Sequence, residues 1–430
     1  MANKLSLRDR NKADVLKRPN WEYRFEVASV KGRRKFITHG GFCTKKEALA
    51  AGTLVMQEYI GCGHAPVKAT GMSVADYLDL WFEKYCVTNL KYNTQLNYRS
   101  IIDNHLKPRF GIFRLSALST AIIQDYADSL SLNGYSKSHI KGILSTLFVA
   151  LNYAIQPLGL LQSNPMQYVR FPSGGKPKRA RGLISKEDFD RLLERFPFGN
   201  RYHIPLLLGW YCGMRISETF ALTWDDIDFQ NKTIRIEKQI LKRFLDVSTG
   251  EMLKTMNKKN ERTGWYFASP KYDSKRTILI GDHLLEILKK EKARQEENEK
   301  LYDDYYTVQV LVQEKDEKGQ PMQRLVSAQK FLKPSLPRIK LLCVDSNGQY
   351  TSTDSFRYAG RVARLELGIF LEYHALRHTH ATILIENGVS PKVVQERLGH
   401  RTIVTTLQTY THKTPTMESQ AVKLFDSVAG

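Results

Sequence analysis

The segment Arg170-Phe-Pro-Ser-Gly-Gly-Lys-Pro-Lys-Arg-Ala-Arg-Gly182 rules out one continuous core for this chain. Glycine and proline punctuate it too closely for a helix or strand, so residues 171–182 read as a linker. Whatever lies on either side must bury its own apolar surface, and 430 residues are enough for two or three such bodies. Five residues of the segment are basic: Arg170, Lys176, Lys178, Arg179 and Arg181. An ordinary solvated linker can carry that charge but does not need it. A strap joining two domains around a polyanionic duplex does.

Two blocks precede the linker. In residues 1–65, Trp21, Tyr23, Phe25 and Val27 alternate with Glu22, Arg24 and Glu26, the period-2 pattern of a half-buried strand. Lys31-Gly32-Arg33-Arg34 reads as a turn and Lys35–His39 as the returning strand. Thr44, with Glu47 three residues on, opens a helix that runs to about Tyr59. A small sheet packed on one helix follows. Residues 1–64 hold thirteen Lys or Arg against six Asp or Glu, a net charge of +7. That suits a DNA-binding module, with Arg33 and Arg34 as contact candidates.

Residues 72–170 read as all helix. Met72–Cys86 places Val74, Leu78, Trp81, Phe82 and Tyr85 on one face, and Asn93–Leu106, Thr120–Leu132 and Ser136–Ile155 follow behind Ser, Thr or Asn caps. Lys91, Asn93, Thr94, Arg99, Lys137, His139 and Lys141 fall near helix starts. There, positive charge and free backbone N–H groups can meet phosphates together. For any single one of them a solvated helix face is an equal alternative.

Residues 183–412 form the largest block. Ser185-Lys-Glu-Asp188 opens a helix through Phe196, a helical pattern runs from Arg201 to about Leu222, and Thr233–Ile240 and Trp265–Ile280 read as strands. The C-terminal third returns to helices. Two stretches look inserted, about 242–262 and 298–342, the second with a strand-like Val308–Val312. In the tail, 413–430, Met417, Ala421, Leu424, Phe425 and Val428 make an apolar stripe at helical spacing. It can pack on its own domain or on a neighbour.

This block also carries the chemistry-bearing residues: Cys212-Gly-Met-Arg215-Ile-Ser-Glu218, then His374-Ala-Leu-Arg377-His-Thr-His, then Leu398-Gly399-His400, then Tyr410. Four such boxes in this order, with a tyrosine ten residues after the last histidine, resemble the tyrosine recombinase family of phage and conjugative-transposon integrases. The resemblance covers the third block and, in layout, the second, and the head resembles the family's arm-binding domains. It implies a multidomain fold: a small α+β head, an all-α core-binding domain, and a mainly α catalytic domain with a small antiparallel β-sheet. It implies site-specific cutting and rejoining of double-stranded DNA at core sites and arm sites, through a 3′-phosphotyrosine, by a homotetramer. An accessory excision or host DNA-bending factor, a C-terminal segment docking on a neighbouring subunit, and a cytoplasmic, nucleoid-associated setting in a bacterium belong to the same expectation. The head favours a mobile-element integrase over a chromosome-dimer resolvase.

The residues support that chemistry on their own terms. His374 and Arg377 are three apart on a helix spanning Tyr373–Glu386. Ser390 and Pro391 begin another helix, Gly399 ends it, and His400 projects just beyond. Tyr410 falls in a short helical stretch, Ile403–Thr411. A tyrosine of pKa about 10 needs a base, which His374 can supply. A pentacoordinate phosphorane gains negative charge, which Arg215 and Arg377 match with fixed, permanently charged donors. His400 can add a hydrogen bond. The 5′ oxygen leaves well only when protonated, an effect worth roughly 10²–10⁴-fold. The resemblance points to a hairpin lysine for that proton, and Lys271 in Ser-Pro-Lys271-Tyr-Asp-Ser-Lys-Arg is the better match than Lys275. By the same resemblance Glu218 orients Arg215. Exchange of one ester for another needs no ATP, and no cofactor or metal is expected.

Lys and Arg outnumber Asp and Glu 65 to 44, a net charge of +21, which fits a long polyanionic partner. Five cysteines form no framework and suit a reducing cytosol, and neither a leader-like h-region nor a membrane span is expected. Three rivals remain: a type IB topoisomerase-like nickase, a catalytically idle DNA-binding protein, and a metal-dependent phosphodiesterase built from His374, His378 and His380. His39, Cys43, Cys62 and His64 match no common zinc spacing.

Overall fold

The computed structural model describes residues 5–11, 20–30, 33–60, 72–172, 182–244, 263–316, 319–332, 334–404 and 426–427. Most of the linker, the insertion from 245 to 262, Cys62, His64, Tyr410 and nearly all of the tail therefore lie outside the described residues, as do Lys176, Lys178, Arg179 and Arg181. The chain divides into two compact units, with the boundary between Arg179 and Ala180.

The first unit opens on an antiparallel three-stranded sheet: β1 (Ser6–Asp9), β2 (Trp21–Val30) and β3 (Arg33–Phe42), in the order β1-β2-β3. Alternation along β2 turns Tyr23, Phe25 and Val27 into the core, toward α1 (Lys45–Ile60). Thr44 and Glu47 close the expected reciprocal cap: Thr44 Oγ1 accepts from the Glu47 N–H at 3.2 Å, and the Glu47 carboxylate accepts from the Thr44 N–H at 3.3 Å. β1 is a strand that the sequence reading did not include, and β3 begins at Arg33, inside the expected turn.

The rest of this unit is helical. α2 (Val74–Trp81) continues through a π-helical turn to Asn89, and α3 (Tyr92–Ile101) through another to Phe110. α4 (Thr120–Leu132) and α5 (Lys137–Ile155) follow. Ser73, Ser119 and Ser136 cap α2, α4 and α5 through their hydroxyls. Tyr77, Trp81, Ile102, Leu106 and Phe110 are fully buried among Ile143, Leu144 and Leu147 of α5.

The second unit begins with α6 (Lys186–Arg195), capped by Ser185. The expected helix from Arg201 to Leu222 is instead two, α7 (His203–Cys212) and the short α8 (Ile216–Thr219). The break is at Gly213, in the left-handed region at φ 61°. The strands then divide unexpectedly. β4 (Ile227–Asp228) and β5 (Thr233–Ile236) belong to one sheet, and β6 (Gln239–Phe244) and β7 (Thr263–Ala268) to another. β8 (Arg276–Leu279) rejoins the first, in the order β4-β5-β8. So the two strands read within Trp265–Ile280, on either side of the Lys271 turn, belong to different sheets. After α9 (Asp282–Tyr302), β9 (Thr307–Lys315), β10 (Pro321–Gln329) and β11 (Arg338–Ile339) complete a five-stranded sheet, β11-β9-β10-β7-β6. The inserted stretch is thus a long hairpin built into that sheet.

α10 (Phe356–Val362), α11 (Tyr373–Glu386) and α12 (Pro391–Leu398) close the described fold. α11 packs on α7 through Tyr373, whose hydroxyl donates to the Pro205 carbonyl at 3.1 Å and bonds the Thr219 hydroxyl at 2.6 Å. No helix among the described residues is long and apolar enough to cross a membrane.

Candidate active site

The geometry centres on the C-terminal end of α12. A helix end leaves carbonyls without intrahelical partners and carries partial negative charge. Here three successive carbonyls each receive a different arginine from elsewhere in the unit. Arg276 Nε donates to Arg397 O at 2.8 Å, Arg377 Nη2 to Leu398 O at 2.7 Å, and Arg215 Nη2 to Gly399 O at 2.7 Å. Gly399, at φ 66°, turns the chain out of the helix so that these carbonyls splay. A Cβ there would sit 3.0 Å from Arg276 Nη1 and 3.1 Å from Ser274 Cβ.

Each arginine has its own local reason to be there. Arg215 stands just before α8, which the break at Gly213 makes possible, and its guanidinium is partly open, at 18% exposure. Glu218 is three residues on. Its carboxylate accepts from the Arg215 backbone N–H at 3.0 Å and from Arg215 Nη1 at 2.6 Å. Arg377 is 1% exposed, with Nη1 donating to Gly213 O at 2.8 Å, so it ties the ends of α7 and α12 together. Three residues earlier on α11, His374 is exposed, its ring edge-on to the buried His378 at 4.6 Å between centroids. Arg377 and His374 therefore differ in depth, one built into the packing and one at its surface.

His400 follows Gly399, with its N–H on Gln395 O at 3.1 Å. Burial and the charges of Arg377 and Arg215, with His374 and His378, push its imidazole down to about 3, so the ring is neutral at physiological pH. The same causes place Arg215, Arg377, His374 and His400 within one electrostatic neighbourhood. Burial alone would raise the Glu218 carboxyl. The hydrogen bonds and charge of Arg276, with Arg215 and Arg377, outweigh it and hold the group at about 2.

Lys271 lies on a loop rather than in a simple hairpin. β5 pairs with β8 up to Ile236 and Arg276, and β6 pairs with β7 from Gln239 and Ala268. Between these pairs only Glu237 and Lys238 stand on one side, against the whole of Ser269–Lys275 on the other. The surplus loops out, with Tyr272 at φ 62° and Asp273 at φ 51°. Left-handed backbone costs roughly 1–2 kcal/mol per residue outside glycine, so the loop is held by its contacts. Lys271 Nζ is exposed over the Tyr272 ring, 5.1 Å from its centroid, and makes no ion pair or hydrogen bond among the described residues. Lys275 instead lies 3.8 Å from Asp273.

Sequence reasoning missed Arg276. It reads as one more basic residue of a hairpin, yet its side chain is 8% exposed and bonds Glu218 at 2.8 Å. A signal was present: Arg276, Ile278 and Ile280 share one face of an alternating strand, and the two isoleucines are core.

The other candidates divide. Arg33, Arg34, Lys91, Asn93, Lys137, His139 and Lys141 are exposed, and Thr94 is half-buried. Arg34 pairs with Glu26 at 2.6 Å. Arg99 does not join the exposed set, because Asp79 at 2.7 Å and Asp103 at 3.0 Å hold it. The tri-histidine alternative meets an obstacle at His380, whose Nδ1 bonds Trp210 O at 2.8 Å and whose Nε2 accepts from Arg397 Nε at 3.2 Å. Among the described residues no three His, Cys, Asp or Glu side chains converge as metal ligands.

Comparison with known proteins gives consistent matches along the chain. Residues 186–417 match the phage integrase family, 73–131 the N-terminal SAM-like domain of phage integrases, and 15–57 an arm DNA-binding domain. The chain is 27% identical over 399 residues to a tyrosine recombinase XerC-like protein of Caldanaerobacter subterraneus subsp. tengcongensis, covering 90% of each chain. It is 25% identical to the ICEBs1 integrase of Bacillus subtilis, covering 96% of this chain and 99% of the other. Its fold resembles the Tn1549 transposon integrase solved with transposon right end DNA, at TM-score 0.60 and 19% identity, over 84% of this chain and 100% of that one. It also resembles a lambda integrase tetramer bound to a Holliday junction, at TM-score 0.53 and 17% identity, over 95% and 96%.

Proposed function

Because the chain belongs to the phage integrase family, we propose that Tyr410 cuts and rejoins duplex DNA through a 3′-phosphotyrosine, integrating and excising a mobile element. The enzyme class follows from the family: a tyrosine-type site-specific DNA recombinase. The observation that carries the residue assignment is the gathering of Arg215, Arg377 and Arg276 on the end of α12, beside His400.

In this reading Arg215 and Arg377 bind the non-bridging oxygens of the scissile phosphate. Their geometry is fixed before DNA arrives, so little reorganisation is needed when the phosphorane forms. His374, at the surface of α11, accepts the Tyr410 proton. His400, being neutral, donates one N–H to the phosphate without taking up a charge. Lys271 protonates the departing 5′ oxygen, and Glu218 holds Arg215 in place.

The partner is double-stranded DNA, at core sites for the second unit and the helical domain, and at arm sites for the head. Arg33, Arg34, Lys91, Asn93, Thr94, Lys137, His139 and Lys141 contact the backbone on this view, joined by the linker cations Lys176, Lys178, Arg179 and Arg181. Strand exchange between two duplexes calls for a homotetramer, and the tail stripe serves as a docking segment between subunits. The setting is the bacterial cytoplasm and nucleoid, where an accessory excision or DNA-bending factor sets direction.

The test is a nicked suicide substrate carrying the ends of the element, without ATP and with EDTA. Wild type should form a covalent 3′ adduct on a denaturing gel, and Tyr410→Phe none while binding the DNA equally well. Binding by both proteins with no adduct on a verified site would reject the catalytic reading.

A further inference from the structure

All three nitrogens of Arg276 are engaged inside the protein. Nε donates to Arg397 O at 2.8 Å, Nη2 to Glu218 Oε2 at 2.8 Å, and Nη1 to both Glu218 Oε1 and Ser274 O at 3.2 Å. These acceptors belong to three elements that meet the reacting groups: the end of α12 before His400, the carboxylate behind Arg215, and the end of the Lys271 loop. Arg215 Nη1 adds a bond to Ser274 Oγ at 3.2 Å. Ser274 is therefore gripped by two guanidinium groups, and the residues just before it, Tyr272 and Asp273, are in left-handed backbone. A loop in that conformation relaxes if its anchor goes. Lys271 is exposed and makes no hydrogen bond or ion pair among the described residues; its ammonium lies over the Tyr272 ring of the same loop, so its aim follows the loop.

We propose that Arg276 is a positioning residue for strand cleavage, clamping the Ser269–Lys275 loop so that the Lys271 ammonium points at the leaving oxygen. The inference rests on Lys271 as the acid. It also gives Glu218 a second partner, so the carboxylate does not neutralise Arg215 alone and the cluster keeps positive charge for the phosphate.

In the step concerned, the Tyr410 Oη–P bond forms as the P–O5′ bond breaks. The tyrosine proton passes to His374, and a proton passes from Lys271 to O5′. Replacing the bridging 5′ oxygen by sulfur removes the need for that second proton, because a thiolate leaves unprotonated. A defect in acid delivery is thus repaired by sulfur, whereas a defect in folding or phosphate binding is not.

The experiment compares full-length wild type, Arg276→Lys and Lys271→Ala on oxygen and 5′-bridging-sulfur suicide substrates. Arg276→Lys should bind DNA within about 2-fold of wild type, while its adduct rate on oxygen falls at least about 10-fold. Its sulfur-to-oxygen rate ratio should rise by a similar factor, as should that of Lys271→Ala. If Lys271→Ala gains no sulfur advantage, the lysine reading falls and this proposal with it. If Lys271→Ala gains and Arg276→Lys does not, the proposal alone is overturned. Should Arg276→Lys fail to fold, Arg276→Met with Glu218→Gln removes both charges together and is read by the same ratio.

Discussion

His380 shows most directly what one side chain's surroundings demand. Its Nδ1 donates to the Trp210 carbonyl while Nε2 accepts from Arg397, so only the neutral ring fits. Burial, with the Arg397 charge, holds it at about 4, and His400 is held at about 3. Burial also pushes His203 down. In the unfolded chain these rings take up protons near pH 6.5. The unfolded state therefore binds more protons below that point, so their contribution is complete above pH 6.5 and is lost as pH falls toward 4 and 3. Glu218 acts in the same direction at lower pH, from 4.5 down to about 2. Thermal melts should show Tm falling between pH 7.5 and 5.0, with a smaller fall in His400→Gln. A Tm that holds or rises on acidification would contradict the neutral assignment of these rings.

Elements matter here mostly through their ends. α12 supplies carbonyls to three arginines only because Gly399 leaves the helix in left-handed backbone. Gly399→Ala should cost about 1–2 kcal/mol in backbone strain, a drop of several degrees in Tm at roughly 2–4 °C per kcal/mol. The added methyl would also press on Arg276 and Ser274, so the adduct rate should fall by more than about 10-fold, beyond what lost stability explains. Melting and suicide-substrate kinetics on one preparation separate the two effects, and parallel losses would leave the helix end with a structural role only. Ends were also what the sequence displayed best. The Thr44–Glu47 box, the Ser185 cap and the Ser390-Pro391 start are local chemistry, and each appears where the residues put it. Pairing between distant segments was not legible. The apolar run from His203 to Leu222 masks the break at Gly213, and nothing local in Thr233–Ile240 tells that its two halves join different sheets. Arg276 was missed for the same reason, since the carboxylate that explains it is Glu218, far back in the chain.

For the molecule as a whole, charge is the dominant quantity: +21, while much of the charge of Arg215, Arg276 and Arg377 is turned inward on carbonyls and Glu218. On the proposed reading those inward groups serve one phosphate, so the grip on the rest of the duplex must come from exposed cations. Lys91 and Lys137 are suited to it, standing exposed where α3 and α5 begin, with Ser136 capping the second. Arg99 is not, because Asp79 and Asp103 already balance it. Neutralising phosphates releases counterions, so log K should fall linearly with log salt, with a slope near −0.9 per phosphate contacted. Lys91→Ala with Lys137→Ala should weaken core-site binding and make that slope shallower by about 2. Arg99→Ala should leave the slope unchanged and lower Tm instead, because it leaves Asp79 and Asp103 with Lys107 alone of their two cationic partners. Titrations of full-length protein on core-site DNA from 50 to 300 mM salt would decide it. An unchanged slope for the double lysine variant would move the grip away from these helix starts, toward the head and the linker cations.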